Sequence, residues 1–202
     1  MEFKEIVKKR YATKMFDGKK VPESKIEELI EIIRMSASSF GIQPYSVKIV
    51  TGIDLKKKIQ DASYNQAQVS SCSYLFIFCA KADIDAQVKR YKELMGEAKI
   101  PKEGIERFGS MVDKFGSNMN YEERLEWAKK QLYIALGNGM NGAKSLGFDS
   151  CPMEGFNPRE VSKILGLGKN EVPTVLLPVG YAVDEMKKKI RYSREEMFEE
   201  LG

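Results

Sequence analysis

Tyr74-Leu75-Phe76-Ile77-Phe78-Cys79-Ala80 is an unbroken run of aromatic and aliphatic side chains, and the rest of the chain is best understood from it. The run is too short for a buried helix and is rich in residues that favour β-structure. An apolar stretch without polar alternation is typical of a strand covered on both faces. We therefore predict a central strand here and a second buried strand from Val172 to Gly180.

Helical periodicity flanks these strands. After Pro22, a good first residue for a helix, apolar side chains recur every three or four positions from Ile26 to Ile33. Residues 83–116 are charged and helical in pattern, with a break at Ile100-Pro101, and we expect them to form an excursion from the core. Further predicted elements are a strand over 46–51, a helix over 55–62, a capped helix from Asn157 to Leu165 and a terminal helix that begins at Ser193.

A longer helix is predicted from Tyr121 to Leu146, and it contains Gly137, Gly139 and Gly142. Each glycine costs about 1 kcal/mol relative to alanine inside a helix. We therefore expect another backbone to approach this helix closely.

Length and charge exclude several classes of protein. The chain has 202 residues, which fit one domain, and its 33 Lys and Arg against 29 Asp and Glu give a net charge of +4. These charges are scattered, which argues against nucleic acid as the main partner. The segment Met1 to Glu5 begins no signal peptide, and no apolar run approaches the ~20 residues of a membrane helix. We expect a cytoplasmic protein without a membrane or nucleic-acid partner.

The chain contains no histidine, which removes the usual first residue of catalytic triads and of much acid-base and metal chemistry. An enzyme of this composition would rely on a bound cofactor, and we predict no metal site. The three cysteines, Cys72, Cys79 and Cys151, have no paired spacing and are expected to be reduced and buried. Cys151 has two interpretations, a nucleophile or a packing residue, and the lack of an activating histidine favours packing.

Two cationic groups lie near opposite ends of the chain. Arg10 and Lys14 would share one face if the first helix extended that far, and residues 187–191 contain Lys187, Lys188, Lys189 and Arg191. The groups could converge on one phosphate. Ordinary solvated charge is the alternative, and composition alone favours it.

Five segments, taken together, resemble the flavin-dependent nitroreductase family in order and approximate spacing over nearly the whole chain. No single segment is specific, whereas all five in sequence are strong evidence. The segments are Arg10 to Asp17, Ser36 to Tyr45, Pro152 to Phe156, Pro178 to Gly180 and Lys189 to Arg191.

The resemblance implies FMN as the cofactor. It assigns Arg10, Lys189 and Arg191 to the FMN phosphate, and it places Lys14 near the pyrimidine edge of the flavin, where a cation stabilises the charge of the reduced ring. Lys14 and Glu154 are the implied catalytic residues. Glu154 would act through its backbone N–H, because the loop formed by Pro152, Met153, Glu154 and Gly155 matches the segment that offers amides near N5 and O4. A simple turn is the alternative interpretation of that loop.

The resemblance also implies further contacts to the flavin. Ser38 and Ser39 match positions that reach the flavin from a second subunit, and Gly41 stands where an asparagine is often found. Tyr11 and Ala12 belong to the phosphate segment, with Ala12 in place of a common serine. The remaining implied contacts are Asn65 and Gln68 near the ring and Gln131 on the long helix.

The implied fold is α+β, a three-layer α/β/α sandwich with a small mixed, largely antiparallel central sheet, in a homodimer with flavin sites at the subunit interface. Residues 1–202 would form one FMN-binding domain with a variable helical excursion at about 83–120. Phe108, Phe115 and Tyr121 in or beside that excursion would form either a lid over the substrate or part of the core.

The implied activity is an FMN-dependent oxidoreductase. It would move a hydride from NADH or NADPH through flavin N5 to a nitroaromatic, quinone or similar acceptor by a ping-pong mechanism. Two alternatives remain open: a flavin-binding module that stores or senses FMN without turnover, and a specialised reductase of flavin, pteridine or enone substrates.

Overall fold

The computed structural model describes all 202 residues and centres on a four-stranded sheet. The strands are β1 (Tyr45–Val50), β2 (Tyr74–Lys81), β3 (Asp149–Ser150) and β4 (Glu171–Gly180), in the order β1-β2-β4-β3. Every pairing between them is antiparallel. The predicted α+β class and central strand are confirmed. The predicted mixed sheet is wrong, because the one parallel contact, between Ala12 and Ser150 of β3, is an isolated bridge and not a pairing of two strands.

Nine helices surround the sheet. They are α1 (Phe3–Lys9), α2 (Glu23–Arg34), α3 (Ile53–Asp61), α4 (Ala67–Ser71), α5 (Ile84–Glu97), α6 (Lys102–Gly116), α7 (Tyr121–Ser145), α8 (Pro158–Leu165) and α9 (Arg194–Met197). A short 3-10 turn, Ser39–Gly41, precedes β1. None of the helices is long and apolar enough to cross a membrane.

The two faces of β2 bury different side chains. Phe76 and Phe78 belong to a core shared with α2 and α7, whereas Leu75 and Ile77 belong to a core shared with α3, α4 and α8. This alternation follows from the two-residue period of a strand. The sheet is therefore the middle of three layers, and a run that is apolar throughout suits it because both of its faces are covered.

The close packing expected of the α7 glycines holds for two of the three. A Cβ added at Gly142 would lie 3.0 Å from Ile32, and one added at Gly139 would lie 3.3 Å from Ile33 and Leu177. The nearest atoms are thus side-chain atoms of α2 and β4, which pack closely against α7 at these two glycines. At Gly137 a Cβ would meet nothing within 4 Å.

Helix α1 ends at Lys9, before Arg10 and Lys14, which could have shared a face only on a longer helix. Arg10 has an extended backbone, with φ −65° and ψ 133°, so the two residues do not share a helix face. The segment after α1 instead pairs with the chain beyond β4, through a bridge between Phe16 and Ala182 and a hydrogen bond from the Asp17 amide to the Tyr181 carbonyl. Arg10 and Lys14 therefore lie along an extended segment beside the sheet.

Aromatic side chains of the predicted excursion pack inside this chain. The Phe115 ring lies 5.2 Å from that of Phe40 and 5.5 Å from that of Trp127, and the Phe108 ring lies 5.1 Å from that of Tyr91. These contacts favour the interpretation of Phe108 and Phe115 as core residues over their interpretation as a lid over the substrate. Cys72, Cys79 and Cys151 are free and buried, as predicted.

Candidate active site

The loop after β3 leaves the sheet in a way that exposes backbone donors. The Cys151 amide bonds to the Pro178 carbonyl at 3.1 Å, and Met153 and Leu176 exchange two hydrogen bonds of 2.9 Å. Beyond Met153 this pairing stops. The amides of Glu154 and Gly155 have no partner in the chain, and both residues are exposed. The loop therefore presents two unoccupied N–H groups, which is a common way to bind electronegative ligand atoms.

Three cations from the two ends of the chain converge. Burial, and then the charge of Arg191, lowers the pKa of Arg10. Burial, followed by the charges of Arg10 and Arg191, lowers the pKa of Lys189. The Lys189 ammonium is fixed by a 2.7 Å hydrogen bond to the Val7 carbonyl of α1. No acidic residue contributes to either shift, so this cation cluster, Arg10, Lys189 and Arg191, lacks a counter-charge of its own. Such an arrangement suits an anion.

Lys14 and Gln68 meet at a buried thiol. The Lys14 Nζ lies 3.8 Å from the Cys151 Sγ, and the Gln68 Nε2 lies 4.0 Å from the same sulfur. Burial raises the pKa of Cys151, although Lys14 and Gln68 act in the opposite direction. The thiol is thus protonated at neutral pH, and packing rather than nucleophilic chemistry describes Cys151.

Asp184 holds the segment that carries Lys14, and this role was not predicted from the sequence. Its carboxylate accepts hydrogen bonds from the Thr13 hydroxyl and from the Lys14 amide, the latter at 3.1 Å, and its carbonyl accepts one from the Tyr11 hydroxyl. Burial alone would raise the pKa of Asp184, but the hydrogen bonds from Thr13 and from backbone amides outweigh it and hold the pKa below its ordinary value. Tyr11 therefore positions this segment through its hydroxyl.

A cavity of about 360 Å³ lies between α7 and the loop, within the range typical of small-molecule sites. We call it the inner cavity. Arg10 connects it to the cation cluster, because its Nη1 lies 3.9 Å from the Met140 Sδ on the cavity wall. At the opposite end, the Tyr133 hydroxyl donates a hydrogen bond to the Glu154 carboxylate. The lining residues are Tyr133, Leu136, Met140, Pro152, Met153, Glu154 and Val175.

Gln66 ties the loop to the start of α4 and was also missed from the sequence. Its Nε2 donates to the Gly155 carbonyl at 2.7 Å, and its Oε1 accepts from Gln68 at 3.1 Å. Asn65 precedes it with φ +57°, a left-handed conformation that asparagine tolerates well. The structure thus brings Gln68 to Lys14 and Cys151 and leaves Asn65 exposed at the adjacent turn.

Ser38, Ser39 and Gln131 form a separate group. The Ser39 amide donates to the Gln131 Oε1 at 2.8 Å, and the Ser38 hydroxyl accepts from the Gln43 amide at 3.0 Å. Gln131 precedes Met140 by nine residues on α7, which corresponds to about 13.5 Å along a helix. A single chain therefore does not bring this group to the cation cluster.

Gly41 lies beside the same group and faces α5. It has φ +73°, and a Cβ added there would lie 2.8 Å from the Tyr91 hydroxyl oxygen. The space that a longer residue would need at position 41 is thus occupied by Tyr91. This accounts physically for glycine at a position where the resemblance expects asparagine.

The fold and this site define a family. A model of the nitroreductase family matches residues 7–181, and the chain belongs to that family.

Individual proteins agree with this assignment. A candidate NAD(P)H nitroreductase of Staphylococcus haemolyticus is 36% identical over 203 residues, covering 94% of this chain and 93% of the relative. A crystal structure of a candidate nitroreductase with FMN, from Exiguobacterium sibiricum, has a TM-score of 0.89 at 21% identity and covers 100% and 98% of the two chains. An enone reductase of gut-bacterial fatty-acid saturation has a TM-score of 0.88 at 18% identity, with the same coverage, and shares the fold.

Proposed function

We propose that this chain is an FMN-dependent oxidoreductase that takes electrons from NADH or NADPH and reduces nitroaromatic, quinone or similar acceptors. The observation that carries the proposal is the inner cavity, which runs between a cation cluster without a counter-charge and a loop with two unoccupied amide donors. A planar ring with a phosphate at one end matches that distribution of groups.

The residues present fit FMN. Arg10, Lys189 and Arg191 would hold the phosphate by charge and hydrogen bonding. Ser150 pairs with Ala12 and carries the only buried side-chain polar atom without a hydrogen-bond partner, so a hydroxyl is present where Ala12 lacks one. Lys14, Gln68, Asn65 and the loop from Pro152 to Gly155 would surround the ring, with Tyr11 fixing the segment that carries Lys14.

When bound, FMN supplies the redox chemistry, by accepting a hydride from the nicotinamide and delivering it to the acceptor in a ping-pong sequence. The chain contributes electrostatics and positioning. Lys14 would stabilise negative charge at the pyrimidine edge, and the amides of Glu154 and Gly155 would orient the other edge. None of these roles requires a side chain to transfer a proton, which suits a chain without histidine.

We propose a homodimer in which a second copy of the chain completes each site. Gln131 lies too far along α7 from the cation cluster to serve the same flavin from one chain, and Ser38, Ser39 and Gly41 lie beside Gln131. The Ile134 side chain of α7 is 46% exposed and would offer an apolar contact to a second copy. We further propose that residues 1–202 form one domain, with α5 and α6 as its variable excursion.

The cavity lining supports the proposed acceptor class. Leu136, Met140, Met153 and Val175 make the surroundings of the proposed flavin site largely apolar, which suits weakly polar acceptors. Nitroaromatics, quinones and enones all meet that description. FMN storage or sensing without turnover would use the same site. The titration described next distinguishes that function from catalysis.

Anaerobic titration of the FMN-loaded protein tests the proposal. NADH or NADPH should bleach the flavin absorbance, and a nitroaromatic, quinone or enone should restore it. Flavin that resists both nucleotides yet is reduced by dithionite would indicate storage or sensing instead. Failure to bind FMN on reconstitution would reject both functions.

A further inference from the structure

Glu154 makes a contact that the proposed function leaves unexplained. In that function Glu154 acts through its backbone N–H, yet its carboxylate accepts a hydrogen bond from the Tyr133 hydroxyl. Tyr133 belongs to α7, and the two residues are 21 positions apart in sequence. The bond therefore joins the two opposite walls of the inner cavity.

The same two residues also line a second cavity. This outer cavity has a volume of about 630 Å³, and the Tyr133–Glu154 pair contributes to the lining of both spaces. The other residues of the outer cavity are Glu126, Lys129, Lys130, Pro158, Val172, Pro173 and Thr174.

The tip of the loop has few other attachments. Met153 is the last residue paired with the sheet, through Leu176. Past it, the Gly155 carbonyl accepts from the Gln66 side chain at 2.7 Å, and the Phe156 amide turns back to the Glu154 carbonyl at 2.9 Å. Only the Tyr133 bond restrains the tip from the side of α7. Because the two amides have no partner, their direction depends on these side-chain tethers.

We propose that Tyr133 is a positioning residue, which holds the Glu154 and Gly155 amides in the direction needed to contact the flavin. The inference rests on the proposed function. Burial, with the Glu154 hydrogen bond and charge, raises the pKa of Tyr133, so the phenol remains a donor throughout the neutral range.

The test compares Tyr133→Phe with Tyr121→Phe. Both residues lie on α7 and both variants lose one phenolic hydrogen bond, but Tyr121 donates to the Lys169 carbonyl at 3.2 Å, away from the loop. In the protein without FMN, the heteronuclear NOE of the Glu154 and Gly155 amides should fall in Tyr133→Phe and stay at the wild-type value in Tyr121→Phe. The FMN dissociation constant should rise about tenfold in Tyr133→Phe only, which corresponds to about 1.4 kcal/mol.

Two variants of Glu154 test whether the effect of Tyr133→Phe comes from loss of the Tyr133–Glu154 hydrogen bond. Glu154→Gln keeps an acceptor oxygen and should retain the ordered amides, whereas Glu154→Ala should resemble Tyr133→Phe. Wild-type FMN affinity in Tyr133→Phe, or amides as ordered as in the wild type, would overturn the inference. If the wild-type chain binds no FMN, the proposed function fails instead, and the NMR comparison still decides whether Tyr133 orders the loop.

Discussion

The ammonium group of Lys14 lies 3.8 Å from the sulfur of Cys151. Because burial keeps this thiol protonated, the contact does not neutralise the lysine, and the Asp184 carboxylate is occupied by the Lys14 amide and the Thr13 hydroxyl. The positive charge of Lys14 is therefore available to a ligand that binds beside Cys151.

Lys14→Ala should lower the flavin midpoint potential. Loss of a unit charge at contact distance from the reduced ring would cost about 1–4 kcal/mol at effective dielectric constants between those of water and a protein surface. For a two-electron couple this corresponds to about 20–85 mV. Spectroelectrochemical titration measures the potential, with Lys57→Ala, an exposed lysine on α3, as the control. Equal potentials in Lys14→Ala and the wild type would refute the assigned role.

Arg10→Ala and Arg191→Ala should both weaken FMN binding, and Arg10→Ala should weaken it more. Arg10 is partly buried and contacts the wall of the inner cavity, whereas Arg191 is exposed. Charge-assisted hydrogen bonds contribute about 1.5–3 kcal/mol, or roughly tenfold to a hundredfold in affinity. Fluorescence titration gives the dissociation constants, with exposed Arg159→Ala as the control. An unaltered FMN dissociation constant in Arg10→Ala would show that the cation cluster does not bind the FMN phosphate.

Gly142→Ala and Gly137→Ala should have opposite effects on stability. The added methyl group at Gly142 would lie 3.0 Å from Ile32 and 3.1 Å from Leu29, and overpacking of this kind costs about 1–3 kcal/mol. At Gly137 nothing lies within 4 Å, so alanine should add up to about 1 kcal/mol of helix propensity. Chemical denaturation measures both. A destabilised Gly137→Ala variant would show that another surface covers that face of α7.

The stability of the protein should fall in acid partly through Asp184. Its pKa in the folded protein is below the ordinary value of 3.8, so its ionised form stabilises the fold at pH values above 3.8. That contribution is lost as the pH falls through the lower, folded-state pKa. Asp184→Asn should therefore flatten the pH dependence of the unfolding free energy below about pH 4, and Asp61→Asn, at an exposed position, should leave it unchanged. Superimposable profiles for Asp184→Asn and the wild type would contradict this assignment.

Much of the fold was predictable because its main strands and helices have strong local signals. The apolar run at β2 and the periodicity of α2 and α7 identify these elements without tertiary information. By contrast, β3 has two residues and α4 has five, and neither is long enough to display a period. The end of α1 was missed because no glycine or proline marks it, and the residues that follow it pair with segments far away in sequence, Ala12 with Ser150 and Phe16 with Ala182.

The site was predictable only in part, for a similar reason. Arg10, Lys14 and the loop at Glu154 lie in segments whose order along the chain resembles a family. Asp184, Gln66 and Tyr133 act through hydrogen bonds to residues far away in sequence, and an isolated aspartate, glutamine or tyrosine carries no local signal of such a bond. The antiparallel sheet, which places the end of β4 beside the residues after α1, creates the contacts of Asp184.

The contact between Gly41 and Tyr91 couples the residue types that positions 41 and 91 can carry together. Asparagine at position 41 would suit the positive φ but would meet the tyrosine hydroxyl, so it becomes acceptable once position 91 carries a smaller side chain. Substitutions at positions 41 and 91 should therefore be non-additive. A smaller side chain at position 91 on α5 would change which residues fit in the turn before β1, the part of the chain proposed to reach the neighbouring flavin.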